Sequence, residues 1–215
     1  MRTIVLLVLL LLSLTAAAAA EVTVARLQYD GGDWYADPSS LPNWLREARR
    51  RTGIPVDAEP VTVSMDSEDL ARYPLLYLTG HGDIRLDDRE VEQLRRYLDG
   101  GGFLYADDNY GLDRAFRALM ARVFPDTPLI RLGSEHPVFH AFYDLPGLPK
   151  IHEHDGDPAQ AFGIVRNGRL AVLYSWSSDI GDGLEDPEVH GDPPAVREAA
   201  ARMAVNVLTY AVTRP

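Results

Sequence analysis

Cysteine is absent from all 215 residues. That absence excludes thiolate catalysis, disulfide bonds and lipid attachment through an N-terminal cysteine. A chain of this length buries enough core to hold together without disulfides, even in an exported setting. Positive charge is also scarce: 21 Lys and Arg stand against 32 Asp and Glu, a formal charge of −11. Nucleic acid and anionic lipid surfaces are therefore poor partners for it. The same acidity also suits plain solubility. No internal repeat and no linker divides the chain beyond its first twenty residues.

Those twenty residues read as a leader. Met1-Arg2-Thr3 carries one positive charge, Ile4 to Leu14 is almost wholly aliphatic, and Ala16 to Ala20 ends in small residues. This is the order of a secretory signal peptide, with cleavage expected between Ala20 and Glu21. An uncleaved anchor is the competing reading, for which the run is short and weakly apolar. Cleavage leaves 20 basic against 32 acidic residues, a charge of −12. The expected organisation is a signal peptide over residues 1–20 and a single domain over 21–215, periplasmic or secreted, with no membrane contact beyond the leader.

Hydrophobic spacing predicts alternating strands and helices. Glu21 to Tyr29 reads as a first strand, followed by the glycine-bearing turn Asp30 to Tyr35. Leu41, Trp44, Leu45 and Ala48 share one helix face, with Ser40 as the expected N-cap and Gly53 as the stop. Val61 to Ser64 predicts a second strand. Leu75 to Thr79 predicts a third, apolar on both faces as central parallel strands are. Asp87 and Glu90 form a capping-box pair opening a helix that Gly100 closes. Phe103 to Ala106 is the fourth strand. Leu112 to Val123 is the clearest helical stripe, and Leu129 to Leu132 the expected fifth strand. Asn167-Gly168 signals a type I′ hairpin between Phe162–Arg166 and Arg169–Tyr174. A helix closes the chain over about 194–212. The pattern predicts an α/β fold: a three-layer, doubly wound, mostly parallel sheet with a late antiparallel hairpin.

In such sheets ligands bind beyond the carboxyl ends of the strands. Three turns are expected on that rim: Asp30 to Tyr35, Gly80-His81-Gly82 and Asp107 to Gly111. They make Asp33, Trp34, Tyr35, His81, Asp107, Asp108, Asn109 and Tyr110 the candidate ligand-binding residues. Strand alternation sends Asp107 and Asp108 to opposite sides, so only one is expected to line the crevice directly. His152 and His154 share a face of an extended segment and, with Asp155, suit a divalent metal. Exposed polar alternation explains them equally. Asp179 and Asp182, in an acidic glycine-bearing loop, suit calcium, and an ordinary acidic surface loop has the same composition. His136 to His140 reads as a turn and packing edge. Ser175 and Ser178 lie in no G-x-S-x-G elbow, which argues against a serine hydrolase.

The motifs Gly31-Gly32-Asp33-Trp34-Tyr35, Tyr77-Leu78-Thr79-Gly80-His81-Gly82, Asp107-Asp108-Asn109-Tyr110-Gly111, His136-Pro137-Val138-Phe139-His140 and Ile151-His152-Glu153-His154-Asp155-Gly156, in this order, resemble the bacterial domain of unknown function 4159 family. The resemblance covers nearly all of the chain after the leader. It implies a class I glutamine amidotransferase-like, flavodoxin-like fold and carries no established reaction. A weaker likeness, at His136-Pro137-Val138 and the fourth strand, is to the trehalose-utilisation-like branch of that fold. Amidotransferases place a cysteine in the turn after the strand that Phe103 to Ala106 matches. Here that turn holds Asp107, Asp108 and Asn109, so thiol-dependent glutamine hydrolysis is excluded.

Two functions compete. One is an exported binding module that holds a polar small molecule or an envelope protein partner. The other is a metal-assisted hydrolase with an ion on His152, His154 and an Asp, for which Asp108, Asp107, His81 and Glu153 are the catalytic candidates. A structural component of an envelope complex is a third. No cofactor other than a divalent metal is indicated.

Overall fold

The computed structural model describes residues 21–213, so the expected leader lies outside the described residues. Along the chain come β1 (Val24–Gln28), β2 (Asp30–Gly32), α1 (Ser40–Arg51), β3 (Val61–Ser64), β4 (Leu75–Leu78), β5 (Gly82–Arg85) and α2 (Asp88–Asp99). There follow β6 (Phe103–Asp107), α3 (Asp113–Val123), β7 (Ile130–Arg131), β8 (Gln160–Arg166), β9 (Arg169–Trp176), α4 (Ile180–Leu184), α5 (Pro187–His190) and α6 (Pro194–Thr213).

Seven strands make one sheet in the order β3-β1-β4-β6-β9-β8-β7. β3, β1, β4, β6 and β9 run parallel. β8 is antiparallel to β9, and β7 to β8. The five parallel strands therefore end on one edge, where the loops after β1, β4, β6 and β9 meet. Above that edge β2 and β5 pair as a separate antiparallel ribbon, so two expected turns are joined by backbone bonds.

Both faces of the sheet are covered. Leu75, Tyr77, Phe103 and Tyr105 pack with Trp44 of α1 and Met203 and Leu208 of α6. Leu76, Leu78, Leu104 and Ala106 pack with Leu94 of α2 and Phe116 and Met120 of α3. The two-residue alternation of strands produces this division. Tyr77 stacks on Tyr105 at 5.6 Å, and Trp44 meets both rings edge-on at 5.6 and 5.7 Å. Such pairs contribute about 0.5–1.5 kcal/mol each beyond their buried area.

Local signals behave as their chemistry requires. Asp87 accepts the Glu90 N–H at 2.8 Å while Glu90 accepts the Asp87 N–H at 2.7 Å, completing the capping box. Asn167 and Gly168 have φ of 52° and 81°, the two positive values a type I′ turn demands. His136 accepts the Val138 N–H at the head of a 3₁₀ turn over Pro137–His140, whose Val138 and Phe139 are buried.

Two expectations are corrected. α1 begins at Ser40, and neither Ser39 nor Ser40 caps it with its hydroxyl. Glu185 does so from the far end of the chain, accepting the Ser39 and Ser40 N–H groups at 2.8 and 2.7 Å. A carboxylate there satisfies orphan donors and faces the positive end of the helix. The strand expected at Leu129 to Leu132 is only Ile130–Arg131, shortened because it pairs solely with β8 at the sheet margin. Among the described residues, no helix is long and apolar enough to cross a membrane.

Candidate functional site

Backbone strain marks the carboxyl edge of the sheet. Among the described residues, five non-glycine positions have positive φ: Asp37 (52°), Tyr110 (64°), Asn167 (52°), Ser177 (55°) and Asp179 (61°). Asn167 belongs to the hairpin turn. The other four all lie in loops that follow β1, β6 and β9. Left-handed backbone costs an L-residue about 1–2 kcal/mol, and such residues gather at functional sites.

The paired acids at the end of β6 part company. Asp107 is fully buried. It accepts the Gly181 N–H at 2.6 Å and the Tyr105 hydroxyl at 3.2 Å, and the Ser175 hydroxyl also donates to it. Burial pushes its pKa well above the carboxylate range, and Asp179 and Asp37 add to this against the bonds from Ser175 and Gly181. Asp108 turns to the opposite face. It accepts the Leu112 N–H at 2.9 Å and the Tyr174 hydroxyl at 3.0 Å, closing the entry to α3. Burial raises its pKa too. One acid thus joins the buried cluster below the rim and the other closes the entry to α3.

Around Asp107 stand three more carboxylates. Asp37 is held at 3.1 Å by the Asn109 side-chain amide, and its Oδ2 is buried without a partner. Burial, then the charge of Asp182, pushes its pKa up to about 7. Asp179 is fully buried, bonds to His154 through Oδ2, and leaves Oδ1 without a partner. Burial lifts its pKa to about 6 even though His154 pulls it down. Asp182 bonds to His152 Nδ1 at 2.8 Å, and its Oδ1 also lacks a partner. The buried Tyr77 hydroxyl and the Asn109 Oδ1 complete a set of unpartnered polar atoms. Gly181 leaves the necessary room: a Cβ there would stand 2.7 Å from Asp37 Oδ2 and 2.9 Å from the Tyr77 hydroxyl. Residues 177 to 185 are buried without exception, which overturns the surface-loop reading.

The segment carrying His152 and His154 lies along this loop. Ile151 N–H donates to Ser178 O at 2.9 Å, and the Ser178 hydroxyl donates to Pro149 O at 2.6 Å. Lys150 reaches Ser177 Oγ and Asp157 O, both at 2.8 Å. The two imidazoles go to different acids. His154 meets Asp179 and stacks on Tyr110 at 4.2 Å. His152 bridges Asp182 and Asp192, the latter at 2.9 Å. Partial burial opposes its protonation, but Asp192 and Asp182 outweigh this and hold its pKa above the ordinary value. Glu153 and Asp155 face solvent and bind backbone of their own turn, Gly156 N–H at 2.7 Å and Asp157 N–H at 3.3 Å.

The rim is open. His81 Nδ1 lies 3.0 Å from Asp33 Oδ2, and the His81 N–H also donates to Asp33. Partial burial works against the Asp33 carboxylate, yet these bonds hold its pKa below the usual value. Trp34 and Tyr35 stand edge to face at 5.6 Å. Tyr35 and Tyr110 are 62% and 50% exposed, so these rings stand on the solvent side of the rim while the acids lie beneath the surface.

Sequence reasoning missed Arg26, Asp37, Tyr77, His190 and Asp192. Arg26 is buried on β1 and donates to Ala36 O and Asp37 O at 3.1 and 3.0 Å, shaping the strained turn. Its one signal was a charged residue inside an otherwise apolar strand. Asp37 and Asp192 looked like ordinary loop acids.

No curated protein matches the chain in sequence. A family model, described as a domain of unknown function (DUF4159), matches residues 23–212. That span runs from the start of β1 almost to the end of α6 and includes every site residue described above. The chain therefore belongs to the DUF4159 family.

Proposed function

We propose that this chain is a non-glutaminase binding module: an exported domain whose amidotransferase-like crevice takes a polar ligand bearing hydrogen-bond donors or positive charge. The parallel strands follow the flavodoxin-like order, and in sheets of that order ligands bind beyond the carboxyl ends of the strands. In class I amidotransferases the sharp turn after the strand matching β6 carries the cysteine. Here it carries Asp108, Asn109 and left-handed Tyr110. The address of the site is kept and the thiol chemistry is not.

The observation that carries this reading is the pair Asp37 and Asp179, each with an unpartnered buried oxygen beside wholly buried Asp107. Leaving such acceptors unpaired costs about 1–3 kcal/mol apiece. A ligand amine or hydroxyl recovers that cost, while Trp34, Tyr35 and Tyr110 supply an aromatic wall. A polar small molecule fits this chemistry, as does a segment of an envelope protein that presents such a group. Residues 1–20 support export through their signal-peptide pattern.

His81 favours a second reading, a metal-assisted hydrolase. Its bond to Asp33 fixes one ring nitrogen and leaves Nε2 for proton transfer. Glu153, tied into its exposed turn, suits the base role less well.

Thermal-shift measurements with amines, amino sugars, polyols and short peptides, in the presence of a chelator, test the first reading. A ligand should raise the wild-type Tm and fail to raise that of Asp37→Asn. Hydrolysis of an ester, amide or glycoside that disappears in His81→Ala would replace it with the second.

A further inference from the structure

His152, Asp182 and His190 each place a ligand-type atom within 4.8 Å of the other two. Asp182 is only 8% exposed, and its Oδ1 has no hydrogen-bond partner. That oxygen lies 3.8 Å from His190 Nε2, while Oδ2 lies 2.8 Å from His152 Nδ1. The His152 and His190 rings are 5.0 Å apart. Behind His152, Asp192 approaches Nε2 at 2.9 and 3.1 Å.

An imidazole bridging two acids explains Asp192 and one oxygen of Asp182. It leaves Asp182 Oδ1 and His190 Nε2 facing one another beyond hydrogen-bond range. A metal ion accounts for both. Two imidazoles and one carboxylate form a borderline donor set that suits zinc and its neighbours, whereas calcium and magnesium prefer oxygen. Metal–ligand bonds of about 2.0–2.1 Å in a tetrahedron put ligand atoms about 3.3 Å apart. The imidazoles approach different oxygens of Asp182, His152 Nδ1 the Oδ2 at 2.8 Å and His190 Nε2 the Oδ1 at 3.8 Å, and one ligand atom from each of the three residues lies within 4.8 Å of the others. A metal-bound histidine usually gives its other nitrogen to a carboxylate, which is where Asp192 stands.

The geometry points to a site for one divalent transition-metal ion, held by His152, Asp182 and His190, with Asp192 orienting His152. His154 and Asp155 are not in it. Three protein ligands leave a fourth position open to water or to a ligand group. Asp182 also borders Asp37, but the three metal ligands are none of the acids, Asp37, Asp107 and Asp179, on which the binding-module reading stands.

The test is calorimetric titration of tag-free, chelator-stripped protein with zinc chloride, with the visible spectrum of the cobalt(II)-loaded form read in parallel. One zinc per chain is expected. His190→Ala should weaken binding at least about tenfold, and Asp192→Asn about ten- to a hundredfold with an altered cobalt spectrum. Asp155→Ala should bind as wild type does. His190 sits on the short, largely exposed α5, and His190→Gln repeats the test with side-chain volume kept. Absence of stoichiometric zinc overturns the assignment. So does zinc binding that survives both His190 variants, or that depends on His154 instead. Polar-ligand binding measured in chelator reports on the other reading independently.

Discussion

Asp107 accepts the Gly181 N–H at 2.6 Å, tying the end of β6 to the first turn of α4 across 74 positions of sequence. This contact ties the acid cluster to α4, and the lack of a side chain at residue 181 leaves the room in which the acids sit. In Gly181→Ala the new Cβ would stand 2.7 Å from Asp37 Oδ2 and 3.2 Å from Asp107 Oδ2. The variant should lose about 1–3 kcal/mol, read as a lowered urea midpoint. An unchanged midpoint would mean that α4 can slide, and the packing argument would fail.

Asp107→Asn should be more stable than wild type above neutral pH. Burial raises the folded pKa of Asp107 well above 3.8, so the folded state holds its proton longer than the unfolded chain does. Below the unfolded pKa the penalty is absent. It grows as pH rises through that value and levels off only above the folded pKa. Asparagine can offer its oxygen to Gly181 and its amide to the Tyr105 and Ser175 hydroxyls, so the network survives. The gain should be plain at pH 8 and close to zero at pH 3, read as the difference in Tm between the variant and wild type at each pH. Equal Tm differences at both pH values would contradict it.

The Glu198 pair behaves in the opposite sense. Arg51 lies 2.7 Å from Glu198 and joins α1 to α6. That bond from Arg51 lowers the Glu198 pKa to about 2. Its stabilisation is therefore complete above the unfolded pKa of 4.5 and is lost as pH falls towards 2. The Glu198 side chain is 40% exposed, so screening limits the effect. Glu198→Gln should cost about 0.5 kcal/mol at pH 7 and almost nothing near pH 2, measured by denaturant titration at both.

Tyr110→Asn separates strain from function. Tyrosine at φ 64° is costly, whereas asparagine adopts that backbone readily. Losing the stack on His154 offsets part of the relief, so stability should hold or rise slightly. Ligand-induced stabilisation should fall, because an exposed ring over the crevice is gone. A variant that binds as well as wild type would remove Tyr110 from the site.

Legibility in the sequence followed the range of each interaction. The Asp87–Glu90 box, the Asn167-Gly168 turn and the stripe from Leu112 to Val123 depend on residues within a turn or two. The first two formed as read, and the stripe became α3 from Asp113, with Leu112 buried just ahead of it. The N-terminus of α1 was misread because its cap, Glu185, lies 145 positions from Ser40. The loop from Ser177 to Glu185 has the composition of a solvent-facing segment. It is buried because α6 and the His152 segment pack over it, which no local pattern encodes.

The sequence by itself determined the alternation of strands and helices, the turns that share the carboxyl rim of the sheet, and the loss of thiol chemistry through the absence of cysteine. It also determined that Asp107 and Asp108 would diverge, since strand alternation is a property of the backbone. Tertiary structure alone decided which of them joins the buried acid cluster and which other acids stand with it. Parallel strands bring the loops after β1, β6 and β9 to one edge, although Asp37, Asp107 and Asp179 are about 70 residues apart in turn. Charge repulsion between carboxylates has no sequence signature at that range. It appears only when the fold buries them together.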